Sequence, residues 1–242
     1  MQNGMGPEHL NDALGEITRQ LLALGARLMY GGDLRTGGIT RMLFELTARY
    51  LPPSVRKETY APSVVDVIPY LSHAELSLND LTAWEAEFVS IGELRYMNRA
   101  GDGIWSLSQR PRDLVQIPKS EWAAALTAMR NYVTRESEAR IVVGGRTSGY
   151  LGRMPGISEE ALVSIMAGQP LFVVGGFGGA AQPIARSIAA NEAVRFPGMN
   201  DPVAVGVKTG LEAVEMQRLS ASPHIDEIVV LITRGLRKLF NA

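Results

Sequence analysis

Ile141-Val142-Val143-Gly144-Gly145, running through Gly152-Arg153-Met154-Pro155-Gly156 into Ile157-Ser158-Glu159-Glu160 and an apolar helix, decides the fold. It reads as a buried strand, then a glycine-rich loop with two arginines, Arg146 and Arg153, then a helix with two carboxylates in its first turn. The unsatisfied N–H groups and positive pole of a helix N-terminus attract an anion, and guanidinium matches phosphate bidentately. A carboxylate repels a phosphate at the same spot. Glu159 and Glu160 are therefore expected to meet sugar hydroxyls, with the phosphate nearer the arginines. The build recurs twice. Arg27-Leu28-Met29-Tyr30 opens onto Gly31-Gly32-Asp33-Leu34-Arg35-Thr36-Gly37-Gly38 and a helix from Thr40 to Tyr50. Pro170 to Val174 opens onto Gly175-Gly176-Phe177-Gly178-Gly179-Ala180-Ala181 and a helix with Pro183 in its first turn. Strands alternating with helices predict an α/β, Rossmann-like three-layer domain with a mostly parallel sheet. Ligands of such sheets bind at the carboxyl ends of the strands, where these loops lie.

The 242 residues suffice for a sizeable core, and 46% hydrophobic with 20% charged residues is ordinary for a globular chain. A formal net charge of -1 argues against general nucleic-acid binding, so an anion site must be built locally. There is no cysteine, which excludes disulfides and thiolate metal sites, and His9, His73 and His224 lack metal-ligand spacing. No metal and no resident cofactor are expected. No apolar run reaches membrane-span length and no signal-peptide pattern is present, so the expectation is a cytoplasmic protein without a membrane partner.

From Pro7 an amphipathic helix runs through Leu10, Leu14, Ile17, Leu21 and Leu22 to a stop at Gly25. Pro52-Pro53 ends the second helix, and Ser63 to Ile68 is a buried strand. Residues 71–117, with helix and strand patterns overlapping between Leu81 and Met97, are expected to form an insertion or lid carrying Arg110-Pro111-Arg112. Ser120 is the expected N-cap of a helix to about Arg135, striped by Trp122, Leu126, Met129 and Val133 and flanked by Arg130. Residues 192–206 look irregular, and helices near 207–219 and 225–240 close the chain. The expected domain is a single one, residues 7–242.

The segment Leu28 to Leu43 (LMYGGDLRTGGITRML) resembles the first glycine motif of the Lonely Guy (LOG) and lysine-decarboxylase-like proteins. Met129-Arg130, Ala139 to Gly145 and Pro155 to Glu160 are similar to that family's second signature, an arginine followed by a strand and Pro-Gly-Gly-x-Gly-Thr-x-x-Glu. GGRTSGYLGRMPGISEEA followed by FVVGGFGGAA resembles most closely the SLOG superfamily, a Rossmannoid group that also takes in the Smf/DprA-like proteins. Its members include domains of sirtuin- and TIR-associated antiviral proteins and of TRPM channels. The resemblance implies a sensor pocket for nucleotide derivatives such as ADP-ribose or its cyclic isomers, possessed by a homo-oligomer. The alternative it implies is a nucleoside 5′-monophosphate phosphoribohydrolase, with Arg130 and Glu160 in the catalytic positions. Three departures stand out. Ile157 replaces the threonine, and the tight glycine loop is expanded to residues 144–156, which weakens carry-over of hydrolysis more than of binding. Asp33 occupies a glycine position in the first loop. The strand that opens such domains should precede Pro7, where six residues stand. Either the chain is truncated there or another subunit covers that sheet edge.

Each residue has a bland reading beside the functional one. Gly31, Gly32, Gly37 and Gly38 either contact phosphate or ribose or simply shape a tight turn. Asp33 accepts from a ribose hydroxyl or caps the turn, and Arg35 pairs with it or with the ligand. Gly144, Gly145, Gly156, Gly175, Gly176, Phe177, Gly178 and Gly179 form strand exits that admit a ligand edge or let a helix pack closely. Arg146 and Arg153 bind phosphate or are solvated. Glu159 and Glu160 hold ribose or stabilise their helix. Arg130 serves the site or snorkels. A nicotinamide dehydrogenase is discounted, because the first loop lacks G-x-G-x-x-G and Asp66 lies inside a strand.

Overall fold

The computed structural model describes residues 6–32, 39–50, 63–89, 91–111 and 113–240. The chain divides into two compact units, Thr18–Val133 and Met1–Ile17 with Thr134–Ala242. Both divisions fall within helices, α1 (Pro7–Ala23) and α5 (Lys119–Arg135).

In the unit of residues 18–133 the sheet is organised by β2 (Val64–Ile68), whose five residues VVDVI are all buried. β1 (Leu28–Gly31) and β3 (Gly92–Met97) flank β2 and pair parallel to it, and β4 (Ile104–Trp105) pairs antiparallel with β3. Alternate β2 side chains point to opposite faces. Val65 and Val67 pack with Met129, Tyr132 and Val133 of α5. Val64 faces Leu43 and Phe44 of α2 (Ile39–Tyr50) and Phe88 of α4 (Leu78–Phe88), and Ile68 packs with Leu81 of α4. Helices therefore cover both faces, which is what a near-continuous apolar strand requires.

In the other unit β5 (Arg140–Val143) pairs parallel with β6 (Leu171–Val174), and every β6 residue is buried. Val142, Leu171 and Val173 pack with Ala161 of α6 (Gly156–Met166) and with Ala181, Ile184 and Ala185 of α7 (Ala181–Ala189). On the opposite face the Phe172 ring lies against Gly235 of α9 (Ile225–Phe240). Ile228, Val229, Leu231, Ile232 and Gly235 of α9 are buried, an amphipathic stripe at helical spacing. The fold is α/β, Rossmann-like, with helices layered on mostly parallel strands.

Two element boundaries differ from expectation. Ser120 is not an N-cap, because the carbonyl of Pro118 accepts the N–H of Glu121 and the helix begins at Lys119. Residues 207–212 are not helical. Gly210 has φ +69°, and α8 (Ala213–Ala221) starts behind a reciprocal cap between Glu212 and Glu215. Residues 71–117 carry α3 (Tyr70–Ala74, reaching into this range), α4, β3 and β4, so they supply two strands of the four-stranded sheet.

Candidate functional site

β5 ends in Gly144 and Gly145, with φ of +64° and +90°, conformations that favour glycine. Close approach excludes side chains here as well. A Cβ on Gly145 would stand 2.5 Å from Ile157, the second residue of α6, and 3.5 Å from the Cβ of Ala180, the residue before α7. The N–H of Ala180 donates to the Gly145 carbonyl at 3.0 Å, and that of Ala181 to the Gly144 carbonyl at 2.8 Å. Gly179, φ +67°, lies against the same backbone so tightly that a Cβ would collide with the Gly145 carbonyl. The second and third glycine loops are thus one structure, and Gly145 sits between the N-termini of α6 and α7.

Neither helix is closed by a side chain. The N-cap of α6 is Pro155 and that of α7 is Ala180, and neither supplies a side-chain cap. At α7 the N–H of Ala181 is taken by the Gly144 carbonyl and that of Gln182 by the Gly179 carbonyl, and Pro183 has none, so the first-turn donors that an anion can meet are those of α6.

Met154 and Pro155 are buried and pin the far end of the loop, while residues 146–151 and Arg153 are exposed. No ion pair joins Arg146 or Arg153 to any described residue. Ser158 and Glu159 are buried in the first turns of α6. Glu160 is half-buried, and its Oε2 is 3.1 Å from Nη1 of Arg140. Arg140 stands at the start of β5, where its Nε donates to Ser164 Oγ at 2.8 Å and its Nη2 to Thr134 Oγ1 at 2.8 Å. Ser164 Oγ donates in turn to Gln169 Oε1 at 2.7 Å, and Gln169 Nε2 to the Ser137 carbonyl at 2.7 Å. A buried guanidinium with all three nitrogens engaged thus anchors α6, and Glu160 with it, to β5.

The remaining expected residues divide by location. A Cβ on Gly175 would collide with the Ser220 carbonyl, and one on Gly176 with that of Ser222. The end of α8 thus covers these two glycines. Gly178, φ +75°, turns the loop back, and Phe177 is buried. In the other unit Gly31 lies under the Met129 thioether of α5, and Arg130, which follows Met129 in the chain, is buried. Gly32 lies beside the Tyr30 ring and Thr40 Oγ1. Asp33, Arg35, Gly37, Gly38 and Arg112 lie outside the described residues.

Some residues given no site role in the sequence also make buried polar contacts, each within its own unit. Thr40, in the first turn of α2, donates to Oδ2 of the fully buried Asp66 at 3.1 Å. Asp66 and Arg140 shared one legible signal, a charge inside an apolar strand (VVDVI and RIVV), which must be paired if the strand is buried.

The family model described as SLOG cluster2 matches residues 1–216, a span that includes all three glycine loops. The chain belongs to this SLOG family. Membership makes it a nucleotide-derivative-related domain, with the glycine loops inside the matched region. Comparison with curated proteins and with solved structures gives no match. Among the described residues of this SLOG protein, no helix is long and apolar enough to cross a membrane.

Proposed function

We propose that this SLOG domain binds a nucleotide-sugar diphosphate of the ADP-ribose type, linear or cyclic, and acts as a sensor module. The observation that carries the reading is the N-terminus of α6, without a side-chain cap, set against the Gly144–Gly145 exit of β5. A helix N-terminus of this kind holds one phosphoryl group, and the loop arginines can take up a second one linked to it. Arg146 and Arg153 add positive charge on the adjoining loop, and Glu159 and Glu160, in the first turns of α6, are the carboxylates that ribose hydroxyls would meet. Isothermal titration with ADP-ribose, its cyclic isomers and NAD tests this. Saturable binding that Arg153→Ala weakens supports it; absence of heat from all of these ligands ends it.

A second reading, N-glycosidic cleavage of a nucleoside 5′-monophosphate, is favoured by one observation: the carboxylate of Glu160 is held in place by Arg140. Cleavage passes through an oxocarbenium-like state that a fixed carboxylate stabilises. Release of free base from AMP, lost in Glu160→Gln, distinguishes hydrolase from sensor. Intact AMP after prolonged incubation removes this reading for that substrate.

A further inference from the structure

The unit of residues 18–133 contains a cavity of about 260 Å³ that is separate from the glycine loops. Its floor is apolar: Tyr70 and Leu71 of α3, Met97 at the end of β3, and Ile117, all buried. Its rim carries one charge of each sign. Arg99, on the turn after β3, reaches across to Glu121 of α5, with Nη2 at 3.1 and 3.2 Å from the two carboxylate oxygens. We propose that this cavity is a binding site for a free α-amino acid with a branched or aromatic apolar side chain.

The argument is one of size, charge and rigidity. Pockets for drug-sized ligands begin at about 300 Å³, so this one is suited to a single side chain rather than a nucleotide. The Arg99–Glu121 pair is exposed, at 56% and 41% of the side chains, so opening it costs little. A zwitterion replaces both halves at once, its carboxylate on Arg99 and its ammonium on Glu121. A ligand bearing one charge would bring that charge beside its like and gain less. The floor is fixed beforehand. His73 Nε2 donates to the Met97 carbonyl at 2.9 Å, and the Tyr70 ring meets His73 and Trp105 edge-on at centroid distances of 5.4 and 5.8 Å. α3 and the end of β3 are thereby joined, and the ligand need not order them.

Isothermal titration of the full chain with L-leucine and L-phenylalanine, each beside its N-acetyl and its amide derivative, tests the site. The expected result is saturable binding of at least one free amino acid, weakened about tenfold or more by blocking either end. Arg99→Gln and Glu121→Gln, both at exposed positions, should each weaken it about as much. Ala125→Leu, which fills the cavity from α5, should abolish it with an unchanged circular-dichroism spectrum. Absence of binding up to the solubility limit overturns the proposal. So does equal binding of the blocked derivatives, or binding that survives Ala125→Leu. None of these outcomes depends on the nucleotide site, which titration with ADP-ribose reads separately.

Discussion

Arg110 donates through Nε to Nδ1 of His73 across 3.1 Å, and this one contact fixes the state of a fully buried imidazole. A guanidinium only donates, so Nδ1 must accept, and the ring proton lies on Nε2, facing the Met97 carbonyl at 2.9 Å. Arg110 Nη2 also reaches the carbonyls of His73 and Leu76, closing the end of α3.

The first expected outcome concerns pH. Burial pushes the His73 pKa from 6.5 down to about 4; the Met97 carbonyl opposes this shift and the Arg110 charge adds to it. The unfolded chain therefore takes up a proton more readily than the folded one. The stability from neutral His73 is complete above about pH 6.5 and is lost as pH falls toward about 4, a difference of about 3 kcal/mol. Urea unfolding at pH 7 and at pH 5 should show the midpoint falling in the wild type. His73→Gln should be less stable at pH 7 and flatter across the interval. An equal slope in both proteins would place the proton uptake elsewhere.

Gly179 and Gly149 form a matched pair for testing the joined loops. Their φ values are +67° and +65°, but an added Cβ at Gly179 would meet backbone and one at Gly149 would meet nothing within 4 Å. Gly149→Ala carries only the left-handed penalty of about 1 kcal/mol, or about 2–4 °C in melting temperature. Gly179→Ala should lower it by about 5–15 °C, because the Gly144–Gly145 backbone must also move. Equal shifts in a thermal melt would mean that the two loops are not packed as described.

How much of this was legible turns on what pattern can carry. The strands ending at Tyr30, Val143 and Val174 were readable to within a residue, because each is a short apolar run stopped by two glycines. Between Leu81 and Met97 an amphipathic helix and a strand follow each other with three residues between them, so both periodicities overlapped; the structure resolves them as α4 and β3. The sequence showed that Gly175, Gly176, Gly178 and Gly179 needed small residues, but not for which neighbour. The first two accommodate Ser220 and Ser222, more than forty positions away, and Gly179 accommodates Gly145. Long-range packing of that kind leaves no local trace. Arg140 was passed over because one arginine at a strand start is ordinary, and only its partners Thr134, Glu160 and Ser164 make it an anchor.

That anchor yields a third outcome. Arg140→Met removes a guanidinium whose side chain is 9% exposed and takes one donor each from Ser164 Oγ, Thr134 Oγ1 and Glu160 Oε2. Breaking a buried charged network from one side costs about 3–5 kcal/mol. Glu160→Gln keeps an acceptor in place and should cost about 1 kcal/mol. Guanidinium-chloride unfolding of the two variants reads the difference directly, and a loss below about 1 kcal/mol for Arg140→Met would show that α6 is held by its apolar face alone.

The final outcome returns to the two exposed arginines of the glycine loop. Arg146 and Arg153 pair with no described carboxylate, so removing either leaves no partner stranded and should leave the melting temperature within about 2 °C of wild type. Their charge would then be available to a phosphate, and a charge-assisted contact of that kind contributes about 1.5–3 kcal/mol. Arg146→Ala and Arg153→Ala should each weaken ADP-ribose binding about tenfold or more in a titration at low salt. Because exposed charges are screened, raising the salt should weaken binding by the wild type more than by the double variant. If both single variants bind ADP-ribose as the wild type does, the arginines are solvated charges and the anion is held by the N-terminus of α6 alone. If the double variant keeps the wild-type salt dependence, the electrostatic attraction comes from another part of the chain.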